Sequence, residues 1–279
     1  MVTNESERAA VPDVVDGDQP DCLPVDAVTT WTHPTGGYPR RINIVGCGPT
    51  QQTFHAAHQT YDVAIIRADE TWTLNKALRT VRSHLVFIMD DLIGEATRSE
   101  QYRNDIRSDD RPIITSSVDA VVKEQYPHVD LHAYPILDVL NHCAIRALGN
   151  GGMPFEEMLD KPKIVGKVGR MIAGYMHNSL PYMLAYALFV NVHEVTLFGV
   201  DYSIEGSHIR EDDRANCEYW IGFLRACGMK ITVTDNTTLL NTTRQPWWYG
   251  YGARPPKLRD PTRVELEAEM ERIGKITVA

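Results

Sequence analysis

Short apolar runs recur along the middle of this chain, each closed by a small or polar residue. They fall at 42–47 (INIVGC), 63–66 continued at 71–74, 85–89 (LVFIM), 112–116 (PIITS), 194–200 (EVTLFGV) and 229–234 (MKITVT). Runs this short are strand-length, and the stretches between them are long enough for helices. Parallel strands covered on both faces read as continuous apolar runs rather than alternating ones. The pattern therefore predicts a largely parallel sheet with helices on both faces.

Three helices stand out. NSLPYMLAYALFVN, 178–191, is apolar nearly all round and reads as a core helix, with Pro181 in its first turn where the missing amide costs nothing. EDDRANCEYWIGFLRACG, 211–228, opens with carboxylates and stops at Gly228. PTRVELEAEMERIG, 261–274, is a charged helix between Pro261 and Gly274. The stretch 119–170 is less regular, and GNGGMPFEE within it reads as a loop and a helix start. Residues 1–38 are polar, acidic and punctuated by Pro and Gly, which predicts a flexible leader able to lie over the domain. The expected organisation is leader 1–38, one Rossmann-like nucleotide-binding domain 39–260, and a C-terminal helix 261–279.

Composition excludes several classes. No apolar run reaches the roughly eighteen residues a membrane span needs, and the first residues lack the basic-then-apolar order of a signal peptide. Five cysteines form no CxxC pair, so a reduced, cytoplasmic protein without zinc is expected. A net charge of −9 opposes general coating of nucleic acid, although a local basic patch can still meet a polynucleotide substrate.

The first strand ends in Gly46-Cys47-Gly48-Pro49-Thr50. A Gly-x-Gly turn lets backbone approach a phosphate, and the amides after it can donate to oxygens. The loop matches neither GxGxxG nor the Walker pattern, and a plain strand-ending turn remains the alternative. Asn75, Asp90, Asp91, Thr115 and Ser116 follow other strands and are candidates to converge on it. Asp90 and Asp91 are the candidate ligands for Mg²⁺ or Mn²⁺, with solvated caps as the alternative. Asn178 and Ser179 open the buried helix, which leads to a strand ending Gly199-Val200-Asp201-Tyr202. A helix start in a cleft favours an anion. Asp201 there can orient a ribose, a base or a catalytic His. Glu218 is a candidate base beside Trp220, or an ion-pair partner of Arg214 or Arg225. QPWWYGYGARPPKLR, 245–259, offers Trp247, Trp248 and Arg254 for acceptor binding, or else tucks onto the core.

Gly46-Cys47-Gly48-Pro49-Thr50 resembles the G-x-G-P-S/T opening of the bacterial sialyltransferase-like fold. Asn178-Ser179 with its apolar helix and GVDYS is similar to that fold's S/T-S-G-x-Y-M…A…G-I-D-F segment. The same blocks resemble archaeal 6-hydroxymethyl-dihydropterin pyrophosphokinases. Uncharacterised bacteriophage proteins are more similar still, in ETWTLNK, FIMDD, NSLPYMLAYAL, GVDYS, CEYWIGFLRACGM and WYGYG. The resemblance spans residues 41–252. It implies a cytidine-type nucleotide at Gly46, Gly48, Thr50 and Asn75, a ligand-binding helix start at Asn178 and Ser179, and His208 as base. Asn178-Ser179-Leu180 departs from the family's glycine-bearing triplet, and the segment around His208 is shorter.

Three readings follow. The first is a nucleotide-sugar glycosyltransferase of the sialyltransferase-like type, phage-encoded by that resemblance. It would act on a nucleobase, nucleotide or glycan, with His208, Asp201 or Glu218 as base and Pro49 and Tyr202 also in the nucleotide site. The second is a Mg²⁺-dependent pyrophosphokinase or phosphoryl transferase with Asp90, Asp91 and Asp201 about the metal. The third is a non-catalytic nucleotide-binding protein using the same pocket.

Overall fold

The structure, a computed structural model, describes residues 32–60, 67–94, 99–202, 211–234 and 237–240. Compactness divides the chain into Met1–Leu239 and Leu240–Ala279. The predicted helix at 261–274, the strand segment 63–66, and His208, Trp247, Trp248 and Arg254 lie outside the described residues.

Seven strands form one sheet: β1 (Arg41–Val45), β2 (Glu70–Leu74), β3 (Leu85–Ile88), β4 (Ile113–Thr115), β5 (Leu131–Ala133), β6 (Glu194–Phe198) and β7 (Lys230–Val233). Their order is β5-β4-β3-β2-β1-β6-β7, and every pairing is parallel. Ile44 of β1 stands between Trp72 and Leu197. This is the α/β, Rossmann-like class expected from the apolar runs. The central strands LVFI and RINIV are buried along nearly their whole length, because helices cover both faces.

On one face lie α1 (Gln51–Gln59), α2 (Glu100–Arg107) and α3 (Ala120–Gln125). Phe54 of α1 meets Phe198 edge-on at 5.3 Å, and Tyr102, Ile106 and Val122 pack with Val86, Ile88 and Ile113. The other face carries α4 (Ile136–Asn150), α5 (Phe155–Leu159), α6 (Pro162–Ala173), α7 (Ser179–Phe189) and α8 (Glu211–Ala226). α7 is the centre of that layer. Met183, Leu184, Ala185, Tyr186 and Ala187 are all fully buried, as a helix apolar on every side must be. Tyr186 packs against Trp72 and Phe87.

Two features depart from the sequence reading. The irregular stretch 119–170 holds four helices, α3 to α5 and most of α6, and the strand β5. β5 is three residues long and half-exposed at the sheet edge, so it shows no apolar run. Gly166 and Gly169 both sit inside α6. Gly169 lies against Leu140 of α4, where a Cβ would make an ordinary contact at 3.6 Å from the Leu140 carbonyl oxygen. The end of the predicted leader is also folded. His33 is 1% exposed, with its ring against Trp72 and Tyr186.

The chain steps outward from β1 to β5, then returns through α4 to α7 to place β6 on the far side of β1. The strand order thus reverses between β1 and β6. Open α/β sheets bind ligands beyond the carboxyl ends of such a pair.

Candidate functional site at the switch point

Gly46 and Gly48 leave β1, and Gly199 and Asp201 leave β6, at this reversal. Gly46 N–H donates to the Phe198 carbonyl (2.8 Å) and Gly48 N–H to the Gly199 carbonyl (2.7 Å). A Cβ on Gly46 would come within 2.4 Å of the Gly199 oxygen, and one on Gly199 within 2.5 Å of the Gly46 oxygen. Gly199 also has a φ of +64°. The glycines are therefore required by each other, without any ligand.

The rest of the loop is tied down by Asp201. One carboxylate oxygen, Oδ2, accepts from Thr50 N–H at 2.8 Å and from Thr50 Oγ1 at 2.7 Å. Thr50 Oγ1 in turn accepts from Gly199 N–H at 3.1 Å. Gln51 Nε2 donates to the Gly46 carbonyl. At the start of α1, Gln51, Gln52 and Thr53 N–H turn back to the Gly48, Pro49 and Thr50 carbonyls. The expected phosphate cradle therefore carries a carboxylate of its own, and the described donors of Gly48 and Thr50 are engaged within the protein. Pro49 supplies no N–H. In this geometry Asp201 clasps the loop.

Beside this clasp, Cys47 Sγ donates to the Leu74 carbonyl at 3.4 Å, joining the loop to the end of β2. The next residue, Asn75, has a φ of +49°. This left-handed conformation strains any residue with a Cβ, though Asn tolerates it better than most. Asn75 Nδ2 donates to Ser179 Oγ at 3.4 Å. Its Oδ1 is buried and has no hydrogen-bond partner among the described residues. Ser179 is the first residue of α7, so the switch-point crevice meets the positive end of that helix.

Asn178 and Tyr202 turn inward. Asn178 Oδ1 caps α7 by accepting from Leu180 N–H (3.1 Å) and also accepts from the Tyr202 hydroxyl (3.3 Å). Asn178 Nδ2 donates to the Asp213 carbonyl on α8. Cys217 Sγ donates to the Tyr202 hydroxyl at 3.0 Å, and burial pushes that thiol up to about 12, so it stays a neutral donor. Tyr202 N–H donates to Thr238 Oγ1, and Thr237 Oγ1 donates to the Val200 carbonyl. These two residues, candidates for ligand contact, form a polar knot that locks α7, α8 and the end of β6. Thr237 and Thr238 were missed by the sequence reading, because their NTT turn resembles any surface turn.

The other candidates lie apart. β3 and β4 stand two and three strands from β1, so their ends are about 10 and 14 Å away at ~4.8 Å per strand. Asp91 Oδ1 accepts from Ile93 N–H at 3.0 Å, the cap alternative of the sequence reading. Asp90 beside it is exposed. Among the described residues no group of three or more His, Cys, Asp or Glu is placed to hold a metal ion. Thr115 is buried and Ser116 exposed at the end of β4. Glu218 is paired one helical turn away with Arg214 at 2.9 Å, the ion-pair alternative of the sequence reading. Arg225 donates instead to the Ile231 carbonyl.

A cleft of about 800 Å³ opens at the opposite, amino edge of the sheet, between Arg79, Arg82, Asp105 and Arg111. There the Arg111 guanidinium is saturated by Asp109, Ser83 and the Leu78 and Val81 carbonyls. It buttresses two loops. Among the described residues no helix is long and apolar enough to cross a membrane.

No family model matches the chain, and no curated protein matches it. Two solved structures are similar to it. Both are of the sialyltransferase CstII from Campylobacter jejuni, one in complex with the substrate analogue CMP-3FNeuAc and one with cytidine-5'-monophosphate. Identities are 12% and 13%, coverage is 72% and 73% of this chain and 82% and 84% of that one, and TM-scores are 0.40 and 0.43. A likeness this distant carries no chemistry across to this chain.

Proposed function

We propose that this protein is a nucleotide-sugar-dependent glycosyltransferase whose donor lies in the crevice beyond β1, β2 and β6. The observation that carries the reading is Asn75. A strained backbone holds its amide at the crevice, its oxygen buried and without a hydrogen-bond partner among the described residues, beside Ser179 at a helix start. Strain of this kind persists where the surroundings over-determine it, and it gathers at ligand sites. An amide offers both a donor and an acceptor to a nucleoside edge or ribose. The Ser179 hydroxyl and the positive end of α7 suit the phosphate.

In the reaction an acceptor hydroxyl oxygen bonds to the anomeric carbon of the donor. The bond from that carbon to the phosphate oxygen breaks, and the nucleotide leaves with the electron pair. The proton of the hydroxyl passes to a base. His208 is the candidate for that role. Asp201 holds the loop that walls the crevice, and Glu218 stays with Arg214. Negative charge developing on the leaving phosphate is stabilised by the Ser179 hydroxyl and by the positive end of the α7 dipole, the Leu180 N–H being held by Asn178. The acceptor class is a hydroxyl on a glycan, nucleotide or modified nucleobase. The pyrophosphokinase alternative needs Asp90, Asp91 and Asp201 about one cation. With Asp201 on Thr50 and Asp91 on Ile93, no observation favours it.

The test is thermal stability against CMP, UDP, GDP, ATP and their sugar conjugates, with and without Mg²⁺. One nucleotide family without metal should stabilise the protein, by about 2.7 kcal/mol at a hundred times its Kd. Asn75→Gly should abolish that response. It should also raise the stability of the free protein by roughly 1 kcal/mol, because glycine relieves the left-handed strain. A response confined to ATP with Mg²⁺, or none to any nucleotide, overturns the reading.

A further inference from the structure

The excursion between β5 and β6 leaves a face with no described cover. Along α6, Lys163, Lys167 and Arg170 follow helical spacing and are exposed, with Ile164 and Met171 interleaved. Met171 is 64% exposed and Phe155 of the adjoining α5 is 56% exposed, so both large apolar side chains leave more than half their surface to water. Residues 161–173 contain no carboxylate. Lys161 is paired with Glu157 of α5 at 2.6 Å, and Glu156 and Asp160 edge the patch there. The cationic part is therefore confined to the outer face of α6, whose inner face carries the buried Ile172 and Gly169, the latter against Leu140 of α4. A face both cationic and apolar fits a partner that is acidic and apolar.

The chain contains such a partner. Residues 1–31 carry Glu5, Glu7, Asp13, Asp16, Asp18, Asp21 and Asp26 against the single cation Arg8, with Val11, Val14, Val15, Leu23 and Val25 among them. This segment holds most of the protein's net charge of −9. It also joins the fold in the right place. His33 packs on Tyr186 of α7, in the helical layer that α6 joins. Arg40, a few residues on, accepts at its carbonyl from His193 and Glu194 N–H at the amino edge of the sheet. α4 ends at that same edge, where Arg146 donates to the Cys227 carbonyl ahead of β7, so α5 and the start of α6 lie there too. α6 is about 18 Å long at 1.5 Å per residue, a span that about six extended residues cover.

We propose that residues 1–31 dock, in the same molecule, on the outer face of α5 and α6, with carboxylates on Lys163, Lys167 and Arg170 and valines over Phe155 and Met171. The test uses the full chain at low concentration with a carbodiimide, which joins carboxylates to amines only at contact. Expected are cross-linked peptides in the monomer that join Asp13 to Asp26 with Lys163 or Lys167. Their yield should fall roughly tenfold between about 0.01 M and 1 M salt, as the Debye length shrinks from about 30 to about 3 Å. Hydrogen exchange of residues 1–31 should speed up in Lys163→Glu/Lys167→Glu/Arg170→Glu and return to the parent rate when Asp13, Asp16, Asp18 and Asp21 are changed to Lys in that variant. Cross-links confined to a dimer assign the face to a second copy and overturn the proposal. So does the absence of cross-links, whether or not the protein binds phosphatidylserine vesicles through α6.

Discussion

Gly46 and Gly199 show how differently one residue type reads in sequence and in space. In sequence, paired glycines after a strand signal a close approach of backbone to something, and phosphate is the familiar candidate. In the fold that something is the other glycine, with a carbonyl oxygen where each Cβ would be. Gly46→Ala and Gly199→Ala should each cost roughly 1–3 kcal/mol, read as a lower urea midpoint with an unchanged slope. Thr50 and Asp201 make a second residue-scale test, because two short hydrogen bonds join them. In a double-mutant cycle with Thr50→Val and Asp201→Ala, the coupling should be about 1 kcal/mol or more. Additive losses would mean that Asp201 does not clasp the loop.

At the scale of elements, α7 was legible because it is buried on nearly every side. A helix with Leu, Met, Ala, Tyr and Phe on every side has no other place than a core. α4 and α6 were not legible, since polar residues and glycines interrupt their apolar pattern, His142, Arg146 and Gly149 in α4 and Gly166 and Gly169 in α6. β5 was lost for a related reason. At an edge the sheet no longer demands a fully apolar strand. The two residues that open α7 separate structure from binding. Asn178→Ala removes the cap and the partner of Tyr202, and should cost about 1–2 kcal/mol in chemical denaturation. Ser179→Ala should stay within about 0.5 kcal/mol of the parent while weakening nucleotide binding. Equal losses of stability would make Ser179 part of the same knot.

For the whole molecule, acid is the condition that tests the packing. Burial lowers the pKa of His33 below its ordinary 6.5, with nearby Glu70 opposing and His132 adding to the shift. Burial also lowers His142, reinforced by Arg146 and opposed by the hydrogen bond to the Leu188 backbone. A histidine depressed in the folded state binds its proton more readily when unfolded. Its contribution is fully present above about pH 6.5 and is lost as pH falls through the lowered folded values. Unfolding free energy should therefore decline below about pH 6.5. His142→Asn should flatten that decline, measured as urea midpoints from about pH 7.5 to about pH 4.5. An unchanged slope would place the acid sensitivity elsewhere.

By itself the sequence determined the class of fold, most of the parallel strands and the central helix, because burial on both faces of a sheet requires continuous apolar runs. It also located the strand ends where a site can form. Which of those ends meet was decided only by the order of the strands, which brings β6 beside β1 and leaves β3 and β4 apart. Contacts across that junction then divided the candidate residues. Asp201 and Thr50 took each other, Asn178 and Tyr202 joined a structural knot, and Asn75 was left strained beside Ser179. Residues some 25 to 150 positions apart settle these outcomes, and no local pattern records them.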